Sequence, residues 1–209
     1  MRRRFLVVSL LAGLLAAGPA LAGEVKVAVA ANFTEPAREI AARFRARTGH
    51  EAVLAFGSSG QFYAQIANGA PFEVFLSADT ERPQKAETEG LAVAGSRFTY
   101  AVGRLVLYSR TPGLVDGRGL VLRSGRFQKL AIADPKTAPY GVAAIEVMKA
   151  LNVYDALQPK IVEGNSVAQA FQFIDTDNAE LGFIALSQIP HRKDGSWWIV
   201  PNKYYKAIH

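Results

Sequence analysis

Two stretches decide the architecture of this chain: Val25-Lys26-Val27-Ala28-Val29-Ala30-Ala31-Asn32-Phe33 and Val53-Leu54-Ala55-Phe56-Gly57-Ser58-Ser59-Gly60. In the first, Val25, Val27 and Val29 alternate as in a strand, and Ala37, Ile40, Ala41 and Phe44 then recur at helical spacing until Gly49 stops the helix. In the second, Val53, Leu54 and Phe56 read as a short strand, Gly57 to Gly60 as a tight turn, and Phe62 to Asn68 as a helix closed by Gly69. Neither turn carries a charge. Each places the first amides of a helix beyond a strand end, where they lack intrahelical acceptors and carry the positive end of the helix dipole. A small oxyanion touching both turns satisfies them without any lysine.

The same grammar continues along the chain. Phe72 to Leu76 reads as a strand ending in Ser77-Ala78-Asp79, and Thr80 to Glu89 as a helix stopped by Gly90. Tyr100 to Tyr108 and Leu130 to Ala133 follow as strands, Gly141 to Leu151 and Val167 to Ile174 as helices, and Leu181 to Ala185 as a strand. Such alternation predicts an α/β fold of mostly parallel sheets covered by helices, with ligands beyond the carboxyl ends of the strands. The apolar run at Tyr100 is the expected crossing between two lobes, giving lobe I over 23–103, lobe II over 104–202 and the start of a return crossing over 203–209. Lobe II supplies two more turns, Asp134 to Gly141 with Tyr140 at its helix start, and Glu163-Gly164-Asn165-Ser166 with Asn165 or Ser166 as cap. Four helix starts, two from each lobe, form an anion cage when the lobes close.

Arg2, Arg3 and Arg4 precede the apolar run Phe5 to Ala17 and then Ala20-Leu21-Ala22, the pattern of a secretory signal peptide over 1–22. Loss of its three arginines lowers the formal charge from +6 to +3, because this segment holds no acid. The positive charge is thus partly an export signal, and a nucleic-acid partner is not expected. The chain has no cysteine, so it carries neither disulfides nor a lipid-modified N-terminal cysteine, and a freely diffusing periplasmic protein is the expectation. Half of the residues are apolar, which suits a well-filled core.

Catalytic motifs are missing from the expected places. Gly57-Ser58-Ser59-Gly60 fails the nucleophile-elbow pattern because Gln61 stands where the second glycine of Gly-x-Ser-x-Gly belongs. No His-Glu-x-x-His pair, cysteine metal pair or phosphate loop with Gly-Lys-Ser/Thr occurs. A secreted serine hydrolase using Ser59 is therefore the weaker alternative, and the expectation is a protein that is not an enzyme and has no cofactor. Tyr204-Tyr205, with His209 nearby, is a pair that suits a ferric ion, yet such a site also wants carboxylates and the pair falls at a lobe crossing. Trp197-Trp198 reads as a strand end at the surface, and His50 and His191 as solvated.

Ala30-Ala31-Asn32, Phe56-Gly57-Ser58-Ser59-Gly60, Ala70-Pro71-Phe72-Glu73-Val74-Phe75-Leu76-Ser77-Ala78-Asp79, Tyr100-Ala101-Val102-Gly103-Arg104-Leu105-Val106-Leu107 and Asp134-Pro135 together resemble the periplasmic molybdate-binding protein family of ABC transporters. The resemblance runs from about Gly23 to the C-terminus. It implies a two-lobed type II periplasmic binding protein that captures molybdate or tungstate and delivers it to an inner-membrane permease with a cytoplasmic ATPase. The ligands it implies are Asn32 in the first turn, Ser59 in the second, the backbone donor at Tyr140 and the helix-start donor at Val167. Ala31 and Ser58 flank these positions as secondary candidates. No protein atom is expected on molybdenum itself, only on the oxyanion.

Two departures from the family pattern carry expectations. Where some members place an anion-binding tyrosine after the Leu-Gly strand, this chain has Ala185, and Tyr140 is the residue placed to supply a hydroxyl from the opposite turn. Family members also continue beyond the segment like Tyr204 to His209 with a strand and helices that return to the first lobe. Part of lobe I's usual cover is thus expected to be missing, leaving apolar surface and an unpaired strand edge, with poor solubility or oligomer formation.

A fully deprotonated tetrahedral dianion presents only acceptors, so its site should offer donors alone. Phosphate retains a proton near neutrality and calls for an acceptor such as a carboxylate. Asp134, Glu163 and Glu35 flank the turns, and any of them aimed into the cleft favours phosphate; sulfate differs from molybdate only in size.

Overall fold

In the computed structural model, which describes residues 22–189 and 194–209, the valines of the first quoted stretch form a central strand, β1 (Glu24–Ala30). The leader expected over 1–22, Ala22 excepted, and the solvated position expected for His191 lie outside the described residues. Both neighbours of β1 run parallel to it, β2 (Glu51–Gly57) on one side and β3 (Val74–Leu76) on the other, with Val29 opposite both Phe56 and Leu76. A strand flanked on both sides and covered on both faces becomes continuously apolar, and residues 27–30 are buried. A three-residue 3-10 turn, Ala31–Phe33, leads into α1 (Thr34–Thr48), so the first helix proper starts two residues after Asn32. Gly49 ends α1 as expected, at φ +74°, with its N–H donating to the Arg45 carbonyl. Then follow α2 (Ser59–Ala67) and α3 (Glu81–Thr88).

The second sheet contains five strands in the order β6-β5-β7-β4-β8. Along the chain these are β4 (Leu105–Ser109), β5 (Leu130–Ala133), β6 (Ile161–Gly164), β7 (Leu181–Ala185) and β8 (Ser196–Ile199). Helices α4 (Val121–Ser124), α5 (Pro139–Ala150), α6 (Tyr154–Leu157) and α7 (Val167–Asp175) connect them. The β5 strand is parallel to β6 and β7, whereas β4 is antiparallel to β7 and β8. Every residue of β4, β5 and β7 is buried.

The strand expected from Tyr100 to Tyr108 is shorter, because only from Leu105 onward do β7 and β8 lie alongside to accept its ladder. Residues 100–104 instead cross between the sheets, held at one antiparallel bridge where the Gly103 N–H donates to the Ile208 carbonyl at 2.7 Å. Trp197-Trp198 belongs to the edge strand β8, with Trp198 turned into the core and Trp197 outward.

In the first sheet β3 is an edge strand, and Val74, Leu91, Val93 and Phe98 are exposed near it, Val93 and Phe98 at 77% and 76%. They border a groove of about 650 Å³ that Phe72, Leu76 and Ala86 also line.

Candidate anion site at the junction of the sheets

The carboxyl ends of both sheets meet, and the four turns read from the sequence lie at that meeting. Ala30, Ala31 and Ala78 from the first sheet share one continuous core with Ala138, Tyr140 and Val167 from the second. The start of α7 packs against the Ala31–Phe33 turn.

Ser58 and Ser59 divide the work at the start of α2. The Ser58 hydroxyl oxygen accepts from the Gln61 N–H at 3.3 Å, while the Gln61 side-chain oxygen accepts from the Ser58 N–H at 3.3 Å. This reciprocal box occupies Ser58 as a cap. Ser59, only 1% exposed, uses its oxygen to accept from the Ala78 N–H at 2.9 Å, which leaves its hydroxyl hydrogen to donate. With the Gln61 N–H taken by the cap, the Ser59 N–H remains a first-turn amide with no intrahelical acceptor.

Asn32 faces the other sheet. Its carbonyl accepts from the Ser187 hydroxyl at 2.5 Å, and its side chain lies near enough to the Tyr140 hydroxyl to ease that group's ionisation. The neighbouring Ala31 is buried, and its carbonyl accepts from the Thr34 hydroxyl at 2.9 Å.

Tyr140 is the second residue of α5, after Pro139, which is suited to a first helical position because it has no N–H to leave unpaired. Its ring is buried. Burial first, then the neighbouring Tyr205 and Tyr100 phenols, push its ionisation well above the ordinary tyrosine range, with the Asn32 side chain acting the other way. The hydroxyl therefore stays protonated. It lies against Gly103, so closely that a Cβ on that glycine would stand 2.4 Å from it. Tyr100 is likewise pushed up to about 12, by burial and then by the Asp79 carboxylate, while its hydroxyl donates to the Ser77 carbonyl at 2.7 Å.

Val167 opens α7, capped by Ser166, whose hydroxyl oxygen accepts from the Gln169 N–H at 3.4 Å. The Val167 N–H is again a first-turn amide. Its carbonyl is held by the Gln188 side chain at 3.1 Å, and the same amide accepts from the Ala185 N–H at 2.8 Å. Thus Gln188 fastens the fully buried Ala185 to the start of α7.

The three flanking carboxylates have other occupations or face solvent. Asp134 turns back on its own loop, accepting from the Lys136 N–H at 2.9 Å and the Thr137 hydroxyl at 3.3 Å. Glu35 is exposed beside Arg38 at 3.9 Å, and Glu163 is exposed. The tyrosine pair diverges: the Tyr205 hydroxyl accepts from the Leu105 N–H at 3.1 Å and donates to Asn202, while the Tyr204 ring packs against Trp198. Its use as hydrogen-bonded and packed crossing residues disfavours a ferric ion. His50 accepts from the Gly23 N–H at 2.8 Å, at the far end of β1 from Ser59.

Three contacts between the sheets escaped the sequence reading. The Gly60 N–H donates to the Thr137 carbonyl at 2.9 Å, Ser187 reaches Asn32, and Arg82, paired with Asp79 at 2.5 Å, extends to the Lys136 carbonyl at 3.4 Å. The available signal was the strand-to-turn grammar itself, since Leu186-Ser187-Gln188 follows β7 as Ala31-Asn32-Phe33 follows β1.

Residues 25–209 match the family of bacterial extracellular solute-binding proteins. The molybdate-binding protein ModA of Rhodobacter capsulatus is 60% identical over 190 residues, covering 91% of this chain and 75% of its own. ModA of Azotobacter vinelandii is 57% identical over 208 residues, covering 97% of this chain and 81% of its own. The solved Azotobacter vinelandii periplasmic molybdate-binding protein superposes with a TM-score of 0.85 at 46% identity, covering 88% of this chain and 82% of that one.

Proposed function

The chain belongs to the periplasmic molybdate-binding proteins, within the bacterial extracellular solute-binding family, and from that premise we propose a mechanism in which two lobes close over a tetrahedral dianion. It is a periplasmic binding protein that captures molybdate for import by an ABC transporter; tungstate, of the same shape and charge, is the natural competitor. In this reading Ser59 donates its hydroxyl, Tyr140 and Val167 donate backbone N–H groups, and Asn32 donates from the first lobe, its side chain beside the neutral Tyr140 hydroxyl. Ala31 and Ser58 shape and cap their turns. The anion itself is the only ligand, and the protein catalyses no reaction.

One observation carries this reading. The Ser59 oxygen accepts from the Ala78 N–H and keeps its hydroxyl hydrogen to donate outward, while Asp134 is committed to its own loop and Glu35 and Glu163 are exposed. Helix-start donors with these three carboxylates turned elsewhere fit an anion that has lost all its protons and disfavour phosphate, which keeps one. A few charge-assisted hydrogen bonds, each worth about 1.5–3 kcal/mol, support micromolar or tighter binding after ordering costs.

We further read 23–103 and 104–202 as the two lobes, the first 22 residues as a cleaved leader without lipid attachment, and the closed pair of lobes as the face presented to the permease and its ATPase. Calorimetric titration of the chain lacking the leader, with molybdate and then sulfate and phosphate in the same buffer, tests the function. One-to-one binding of molybdate well above the other two is expected. Equal affinity for sulfate would remove the size selectivity, and preference for phosphate would require a carboxylate in the site.

A further inference from the structure

We propose that Gly60 controls closure of the lobes: the absence of a side chain there lets the start of α2 dock on the backbone of Thr137 in the opposite lobe. At the junction side of the sheets Gly60, Gly141 and Gly164 each have backbone atoms standing where a Cβ would go, but for different reasons. At Gly141 the added carbon would stand 2.1 Å from the Ala133 carbonyl oxygen, and at Gly164 2.8 Å from the Ala170 nitrogen. Both obstacles lie within the second lobe, so these glycines are needed for that lobe to fold. At Gly60 the added carbon would meet Thr137 Cα and its carbonyl oxygen, each at 2.9 Å, and the Arg82 guanidinium at 3.2 Å. Arg82 is a flexible side chain that can swing aside. The Thr137 backbone cannot, because its loop is tied by the Asp134 carboxylate to the Lys136 N–H and the Thr137 hydroxyl.

Gly60 is the second residue of α2 and has no left-handed backbone that would require glycine. Alanine is therefore compatible with lobe I alone and is a better helix former. The single consequence of a Cβ is to hold the lobes apart and break the 2.9 Å hydrogen bond from the Gly60 N–H to the Thr137 carbonyl. Closure and folding thus respond in opposite directions to the same substitution.

The proposal rests on the molybdate-capture reading only for its ligand arm. Since the chain has no cysteine, the exposed helix positions Ala42→Cys and Ala156→Cys can be spin-labelled selectively, and their separation measured with and without molybdate. In this background the distance is expected to shorten on saturation. Adding Gly60→Ala should keep the long distance, weaken molybdate at least ten-fold, and leave the melting temperature of the ligand-free protein equal or higher. Arg82→Ala added to Gly60→Ala should not restore closure, because the obstacle is the Thr137 backbone. Closure of the Gly60→Ala protein at background affinity overturns the proposal, and so does a lower melting temperature, which would make Gly60 a folding residue. If the background protein neither releases heat nor shortens with molybdate, the capture reading fails. The ligand-free distance distributions then decide the latch: loss of the short population on Gly60→Ala upholds it, and identical distributions overturn it.

Discussion

The first lobe hangs two strands on β1 and buries only Val27, Val29 and Ala37 in its own core cluster, whereas the second stacks five strands and buries all of β4, β5 and β7. Their offerings to the junction are inverse to their bulk. In the proposed site the lighter lobe brings side-chain donors, Ser59 and Asn32, and the heavier lobe brings backbone amides at helix starts held by Pro139, Ser166 and Gln188. A rigid wall of amides can hold an anion without adjusting, while rotatable hydroxyl and amide groups on the opposite wall complete the cage as it closes.

This contrast can be broken most directly in the cores. Leu107→Ala, at a fully buried position in β4, is expected to cost about 2–5 kcal/mol in urea unfolding, and Leu54→Ala in the half-buried β2 well under that. Equal losses would mean that the first lobe is as well packed as the second. Ser59→Ala is expected to weaken molybdate binding by about 1–3 kcal/mol in calorimetry, and also to lower the melting temperature by stranding the Ala78 N–H. Unchanged affinity would remove the Ser59 hydroxyl from the site. Tyr140→Phe takes away a hydroxyl that lies beside the Asn32 side chain across the junction, and a loss of about 0.5–1.5 kcal/mol in affinity is expected, with α5 unchanged by circular dichroism. An affinity drop as large as that of Ser59→Ala would make the hydroxyl a direct ligand. The smallest effect is that of pH. Tyr100 and Tyr140 ionise at higher pH in the fold than in the unfolded chain, so the stability they confer is full below about pH 10 and falls as pH rises toward 12 and beyond. Melting temperatures measured upward from pH 8 should reveal this tyrosine-linked decline only beyond about pH 10, and its absence in Tyr100→Phe/Tyr140→Phe would assign it.

Local pattern made much of the fold legible. The alternation of Val25, Val27 and Val29, the stop at Gly49 and the cap expected at Asn165 or Ser166 each act within one turn or strand, and the structure has the first two where expected and puts the cap at Ser166. The expected strand from Tyr100 failed because apolar residues there serve a crossing, where Gly103 gives its room to the Tyr140 hydroxyl rather than to a sheet neighbour. The antiparallel sense of β4 is likewise a property of partners far along the chain. At the junction, the sequence located the four turns but not what joins them. Ser187 and Asn32 are 155 residues apart, and no local spacing encodes their hydrogen bond.

The arrangement of β4 also has a temporal meaning. A chain that emerges from its N-terminus can assemble β2-β1-β3 once residue 76 is available, since all three strands fall within the first part of the sequence. The β4 strand waits much longer, because its neighbours β7 and β8 begin only at Leu181 and Ser196. Until then its apolar residues Leu105 to Tyr108 have no flank on either side, and closing so long a loop is entropically slow. The more deeply buried sheet is thus the later one to form, and until β7 arrives its apolar strands stay open to the wrong partners.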